Sequence, residues 1–271
     1  MSEAASTVRT LRAMPTLFRV GFASSLAYRS EFFVWILATN MPLVMLALWS
    51  EVAREAPIGG YGTKEFTAYF LTTLIVRQLT GSWVIWEMNG EIRQGTLSQR
   101  LLRPIHPILS YAADNLAALP LRALIAFPVA TIALYVVGRG ALAHDPVLWV
   151  LAPLSVSGAW VISFSVMFLI GTLGLYWESS LAVWDLWFGC YVIFSGYLMP
   201  LALMPAWLRS FLRLSPFPYV LSVPVEIILG KLPREVALRQ VAVEWGYAAL
   251  FLAAALFLWN RGLRRFAAFG G

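Results

Sequence analysis

The chain has 271 residues, of which 60% are hydrophobic and only 13% charged, with a net charge of +6. Soluble domains carry ~45–50% apolar and ~25% charged residues, so there is too little polar surface here to cover a water-soluble globule, and lipid must solvate much of the exterior. The excess charge is almost wholly arginine, since Lys64 and Lys231 are the only lysines, and in a membrane chain it belongs to cytoplasmic ends rather than to a nucleic-acid surface.

At the N-terminus, Leu11, Met14, Phe18, Phe22 and Leu26 recur at steps of three and four, while Arg9, Arg12 and Arg19 fall largely off that face. The periodicity predicts an amphipathic helix over 7–30. It either lies flat in the interface, apolar side down, or packs on the protein's own spans. Arg9, Arg12, Arg19 and Arg29 interrupt residues 1–31, so no signal-peptide core is expected there.

Six segments are long and apolar enough to cross the bilayer, near 32–53, 66–87, 115–137, 147–176, 182–200 and 241–260, each approaching or exceeding the ~20 helical residues that the crossing takes. The second carries Arg77 near its middle, and the fifth has Asp185 a few residues from its start. A charge at the bilayer centre costs ~2.5–3.5 kcal/mol on insertion scales, so each is expected to face a wet cavity, an interface with another chain or a fixed partner. The third span holds Pro120, Arg122 and Pro128, and Arg122 is placed to snorkel toward the cytoplasm, with Glu87 at the same surface.

Two connecting segments stand out. After the second span, residues 91–103 read as a short helix stopped by Pro104 and Pro107, with Leu97 and Leu101 forming a narrow apolar ridge among polar neighbours. Such a ridge suits a groove on another protein, and an ordinary juxtamembrane loop has the same composition. Residues 195–233 are apolar, yet Pro200, Pro205, Pro216, Pro218 and Pro224 cut them into pieces too short to span. Broken apolar helices of this kind are expected to be re-entrant or interfacial elements packed on the protein.

Tryptophans mark the predicted boundaries, among them Trp49, Trp83, Trp86, Trp149, Trp177, Trp184, Trp245 and Trp259, as amphipathic rings do at interfaces. With both termini inside, most arginines outside the spans, including Arg93, Arg100, Arg103, Arg261, Arg264 and Arg265, become cytoplasmic. The basic residues of 201–240 run against this rule. Cys190, in an apolar run, is the single cysteine, so no internal disulfide is possible.

These features in this order resemble the membrane subunits of ABC transporters of the type-2 exporter class, in its compact six-span bacterial branch. The matching residues are the N-terminal elbow; Glu91-x-Arg93-x-Gly95-Thr96-Leu97 leading to Leu102-Arg103-Pro104; Ser195-Gly196 with Pro200 and Pro205-x-Trp207; and Pro224 to Gly230 before the last span. The resemblance implies an all-α permease domain over 1–271, with elbow helix 7–30, coupling helix 91–103 and re-entrant outer helices 195–233. It implies that Glu91, Arg93, Gly95, Thr96, Leu97, Arg100, Leu101 and Arg103 engage a separate ATPase subunit, one of two in the complex, which would carry the ATP and Mg. A second permease, related or identical, and residence in the bacterial inner membrane complete the expectation.

The chain's own chemistry agrees with a non-enzymatic subunit. Neither lysine sits in a phosphate-cradling Gly-x-x-x-x-Gly-Lys-[Ser/Thr] loop. His106 and His144 fall on opposite sides and share no metal, and His144-Asp145 reads as turn chemistry. A gradient-driven transporter or channel is the alternative, for which broken midplane helices and several buried carboxylates are expected. An intramembrane lipid enzyme would need a His, Asp or Glu cluster that is not apparent. The transported molecule is not encoded in these patterns.

Overall fold

The computed structural model describes residues 15–23, 41–137, 142–177 and 180–264. Among them the fold is helical, with one antiparallel bridge between Ile58 and Tyr61. The helices are α1 (15–23), α2 (Met41–Val52), α3 (Thr63–Thr80), α4 (Val84–Arg93), α5 (Leu97–Leu101), α6 (Pro107–Ala117), α7 (Leu119–Val137), α8 (Pro146–Thr172), α9 (Ser180–Phe194), α10 (Ala206–Leu212), α11 (Phe217–Val220), α12 (Ser222–Ile228) and α13 (Arg234–Leu263).

Local chemistry sets the ends. Asp145 Oδ1 accepts from the Val147 N–H at 2.9 Å and Pro146 opens α8, so Asp145 is a helix cap. His106 caps α6 in the same way, ahead of Pro107. Helix α13 has Glu235 in its first turn and Arg261 in its last, matching the helix dipole at both ends.

Helix α8 is the axis of the molecule. α13 lies along it, and α3, α4, α9, α11 and α12 pack around it. Its Phe164 and Phe168 stack with Trp160 and Trp259 at centroid distances of 5.1 to 6.1 Å, and Tyr111 meets Phe168 at 5.9 Å. Trp259 is fully buried in this ladder. The sequence places it at an interface; it does sit near a helix end, but its ring packs inside the protein.

α8 extended to Leu175 and α13 are long and apolar enough to cross a membrane, while α2 and α9 are shorter apolar helices. The first predicted span begins outside the described residues, as do both ends of the predicted elbow. Within α1, Gly21 is buried, and a Cβ there would come within 2.9 Å of the Ala117 Cβ. Helix α1 therefore lies against α6, with Val20 and Phe22 left exposed.

The second predicted span is not continuous. Helix α3 stops at Thr80, Gly81 is extended at φ −64° and ψ 142°, and α4 begins at Val84. The third is divided between α6 and α7 at Ala118.

The segment after α9 forms the short pieces expected from its prolines, and they turn inward: Leu221, Val225 and Ile227 have no exposed surface. Gly196 makes the entry turn at φ +91°, where any Cβ would lie 2.5 Å from the Tyr69 hydroxyl. Only glycine fits there, and Tyr69 Oη donates to the Gly196 carbonyl at 2.8 Å. Trp49 Nε1 donates to Leu198 O, Ala143 N–H to Ile228 O, and the Lys231 ammonium sits 3.5 Å over the Tyr61 ring. Residues 53–62, 142–145 and 195–233 thus gather at one end of the molecule. At the other, Asn89 Nδ2 donates to Ser180 Oγ and Gly262 packs on Leu175 and Tyr176.

Candidate functional site

Two regions hold the residues singled out by sequence. The first is the corner from α4 through α6. Gln94 closes α4, Gly95 turns the chain at φ +72°, and α5 follows. Leu97 then points into the core with no exposed surface, and Leu101 packs half-buried against it. The predicted outward ridge of Leu97 and Leu101 is therefore not at the surface. A five-residue helix joined at both ends to the body must anchor itself by its own apolar side chains.

Arg100 is also turned inward, at 7% exposure. Its Nε reaches both Glu91 oxygens at 3.0 Å, and Nη2 reaches Glu87 and Glu91 at 2.6 Å each. Nη1 donates to Asp114 and to Ser110 Oγ, both at 3.0 Å. The guanidinium lies 3.8 Å over the Tyr111 ring, and Tyr111 Oη donates to Glu91. Burial pushes this guanidinium down, but the Glu91 hydrogen bonds and the Glu87 charge outweigh it and hold it protonated. Arg100 and Glu91 thus tie α4, α5 and α6 together. What the corner presents outward is Arg93, Gln94, Gln99, Leu102 at 86% exposure, and Arg103.

The second region is a cavity of about 290 Å³ beside the α3–α4 break, between α7, α8 and α9. Arg77 and Asp185, separate in sequence, both line it, and so does Arg122. Arg122 is only 3% exposed, so it does not snorkel; its Nη1 donates to the Gly81 carbonyl at 2.6 Å, a group freed by the end of α3. On the far side of the break, Asn115 Oδ1 accepts from Ser82 Oγ and from the Trp83 N–H at 2.7 Å. Two side chains of the α6–α7 pair thereby satisfy the broken backbone, as burial requires.

Arg77 Cζ lies 5.5 Å from the Tyr191 ring centroid, and Arg122 Cζ 5.7 Å from that of Trp83. Trp83, Trp86, Trp184, Phe188 and Tyr191 follow one another at 5.5 to 6.0 Å, forming an aromatic wall. Asp185 is exposed, and among the described residues it joins no salt bridge.

Sequence reasoning missed two residues. Asn115 looks like an ordinary polar residue at a span end. Glu244 stands alone among apolar neighbours in α13, a visible signal that was passed over. It is fully buried between α13 and α8, where Ser155 Oγ donates to it at 2.7 Å and the bare Cα of Gly158 makes room for it.

A sequence model described as ABC-2 family transporter protein matches residues 35–270. No curated protein matches the chain.

Proposed function

The chain belongs to the ABC-2 transporter family, and from that premise we propose that it is the membrane-spanning permease subunit of an ATP-driven exporter. It crosses the bacterial inner membrane six times with both termini cytoplasmic. It pairs with a second permease, a related chain or another copy, and with two ATPase subunits that bind ATP and Mg. The family match over residues 35–270 carries this reading.

The α4–α6 corner gives the coupling a physical route. Its outward Arg93, Leu102 and Arg103 form the contact with an ATPase, while Glu91, Leu97, Arg100 and Leu101 work from inside, fastening α5 to its neighbours. A push on α5 moves α4 with it, because one guanidinium bridges them. Helix α4 meets α3 only through residues 81–83, so that break is where the displacement is absorbed. Trp83 and Trp86 lie at the start of α4 and in the cavity wall, so the displacement reshapes the cavity that Arg77 and Asp185 line.

The broken helix and the buried Glu244 are features that a gradient-driven transporter also uses. Purification of the tagged chain from its native membrane separates the two readings. An ATPase recovered near one-to-one with the permease, with hydrolysis in the purified complex, is the expected result. A chain purified alone under mild detergent, transporting only with an ion gradient, would overturn the proposal.

A further inference from the structure

The cavity beside the α3–α4 break has a charge pattern that its own residues leave unresolved. Arg77 joins none of the salt bridges among the described residues, and its Nε is buried without a hydrogen-bond partner. A second guanidinium stands next to it: a Cβ at Gly81 would lie 3.3 Å from Arg122 Nη1 and 3.7 Å from Arg77 Nη1. Two cations this close in an apolar surrounding repel, and one anion set between them relieves both. Asp185, at the cavity's exposed side, is in salt-bridge contact with neither in any ion pair given by the described residues. Trp83, Trp86, Trp184 and Phe188 also line the cavity, and they offer ring faces and edges to an apolar body. At about 290 Å³ the space falls at the small end of the range for small-molecule sites. It holds a head group and the start of a tail, and it is too small for a folded peptide or a polysaccharide.

We propose that this cavity binds the anionic head of an amphipathic ligand, a carboxylate, phosphate or sulfonate, between Arg77 and Arg122, with its apolar part on the tryptophan wall. As an assignment of transported substrate it rests on the permease reading above; as a binding site it stands on its own. Arg77 has its unpartnered Nε–H to spend on the anion, and Arg122, held to the Gly81 carbonyl through Nη1, supplies a second charge. Gly81 gives the anion its room, since a side chain there would press on the Arg122 guanidinium and touch that of Arg77.

The test uses the purified protein, with whatever subunits accompany it, in phosphatidylcholine nanodiscs. The probe is 11-(dansylamino)undecanoate, read by energy transfer from tryptophan, against its neutral methyl ester and a dansyl alkylamine of equal length. The acid is expected to bind saturably and at least ~10-fold more tightly than either analogue. Arg77→Gln should weaken it by a similar factor, Arg77→Lys should restore part of the loss, and Arg54→Gln, at an exposed ion pair far along the chain, should change nothing. Arg122→Gln disturbs the helix break as well, so Arg77→Gln with unchanged gel-filtration behaviour is the deciding variant. Equal binding of acid, ester and amine, or undiminished acid binding by Arg77→Gln, would overturn the site. Replacing a quarter of the lipid by phosphatidylglycerol separates the sources: competition identifies a bilayer head group as the occupant, and undiminished binding identifies a free amphiphile, both on an anion site. Because binding is read on the permease itself, failure to recover an ATPase would sink the permease reading and leave this result untouched.

Discussion

At Arg100, three carboxylates surround one guanidinium, so removing the cation leaves Glu87, Glu91 and Asp114 facing one another. Losing one partner of a buried ion pair costs ~3–5 kcal/mol. The carboxylates here are 20–32% exposed, so Arg100→Ala is expected near the bottom of that range. Lysine cannot reproduce the fork that meets Glu87, Glu91 and Asp114 together, and Arg100→Lys should recover less than half of the lost stability. Thermal unfolding in detergent measures both; an unchanged midpoint for Arg100→Ala would show the cage to be dispensable. His106 adds a pH dependence of definite sign. Its Nδ1 accepts from the Ile108 N–H at 3.3 Å, which needs the neutral ring, and partial burial lowers its pKa below the ordinary value near 6.5. The cap's contribution is therefore full above about 6.5 and is lost as pH falls below it. The protection factor of the Ile108 amide, the intrinsic exchange rate divided by the observed one, should fall on acidification in wild type and stay low and pH-independent in His106→Ala.

Sequence reads 91–103 as one short helix with Leu97 facing outward, whereas α4 runs on to Arg93 and the helix that follows, α5, is Leu97–Leu101 with Leu97 turned to the core. The length and stops of α5 follow from Gly95 and the two prolines, but which side faces outward depends on what the body offers it. The body offers three carboxylates and an apolar core, and so takes Arg100 and Leu97. The outward face is that of Leu102 with Arg93 and Arg103. Leu102→Asp with Arg103→Glu should therefore reduce recovery of the ATPase by about tenfold or more while the permease keeps its melting temperature, since ~1.4 kcal/mol already gives tenfold and burial of a leucine is worth ~1.5–3 kcal/mol. Leu97→Asp should instead lower expression and melting temperature, because it buries a charge in the core. Full ATPase recovery by the Leu102 and Arg103 variant would remove this corner from the coupling. At the α3–α4 break, Asn115→Ala leaves the Ser82 hydroxyl and the Trp83 N–H unpaired, a loss of ~1–3 kcal/mol. Asn115→Asp keeps the acceptor, and a smaller loss is expected in the same melting assay.

Over the whole molecule, residues 53–62, 142–145 and the broken helices of 195–233 gather at one end, and the α4–α6 corner lies at the other. With the termini inside, a cysteine at exposed Glu235 in a Cys190→Ser background should be labelled by an impermeant maleimide only from outside intact cells; labelling only in inverted vesicles would reverse the orientation. That proposed sidedness rests on arginine counts. Sequence alone determined that lipid is the solvent, that proline cuts 195–233 into short pieces, and that the family is that of the ABC-2 transporters, because composition, periodicity and local motifs are properties of nearby residues. Three things were decided only by the tertiary structure. Arg77, Arg122 and Asp185 share one cavity because α7 packs on α3 while α3 and α9 both pack on α8. The predicted second span breaks at Gly81 because Arg122 and Asn115, more than thirty residues away, satisfy the backbone groups that the break exposes in an apolar setting. Trp259 packs on Phe168 rather than facing an interface because α13 lies along α8 to its end. Each depends on long-range pairing of groups whose cost of burial is met only by a partner distant in the chain.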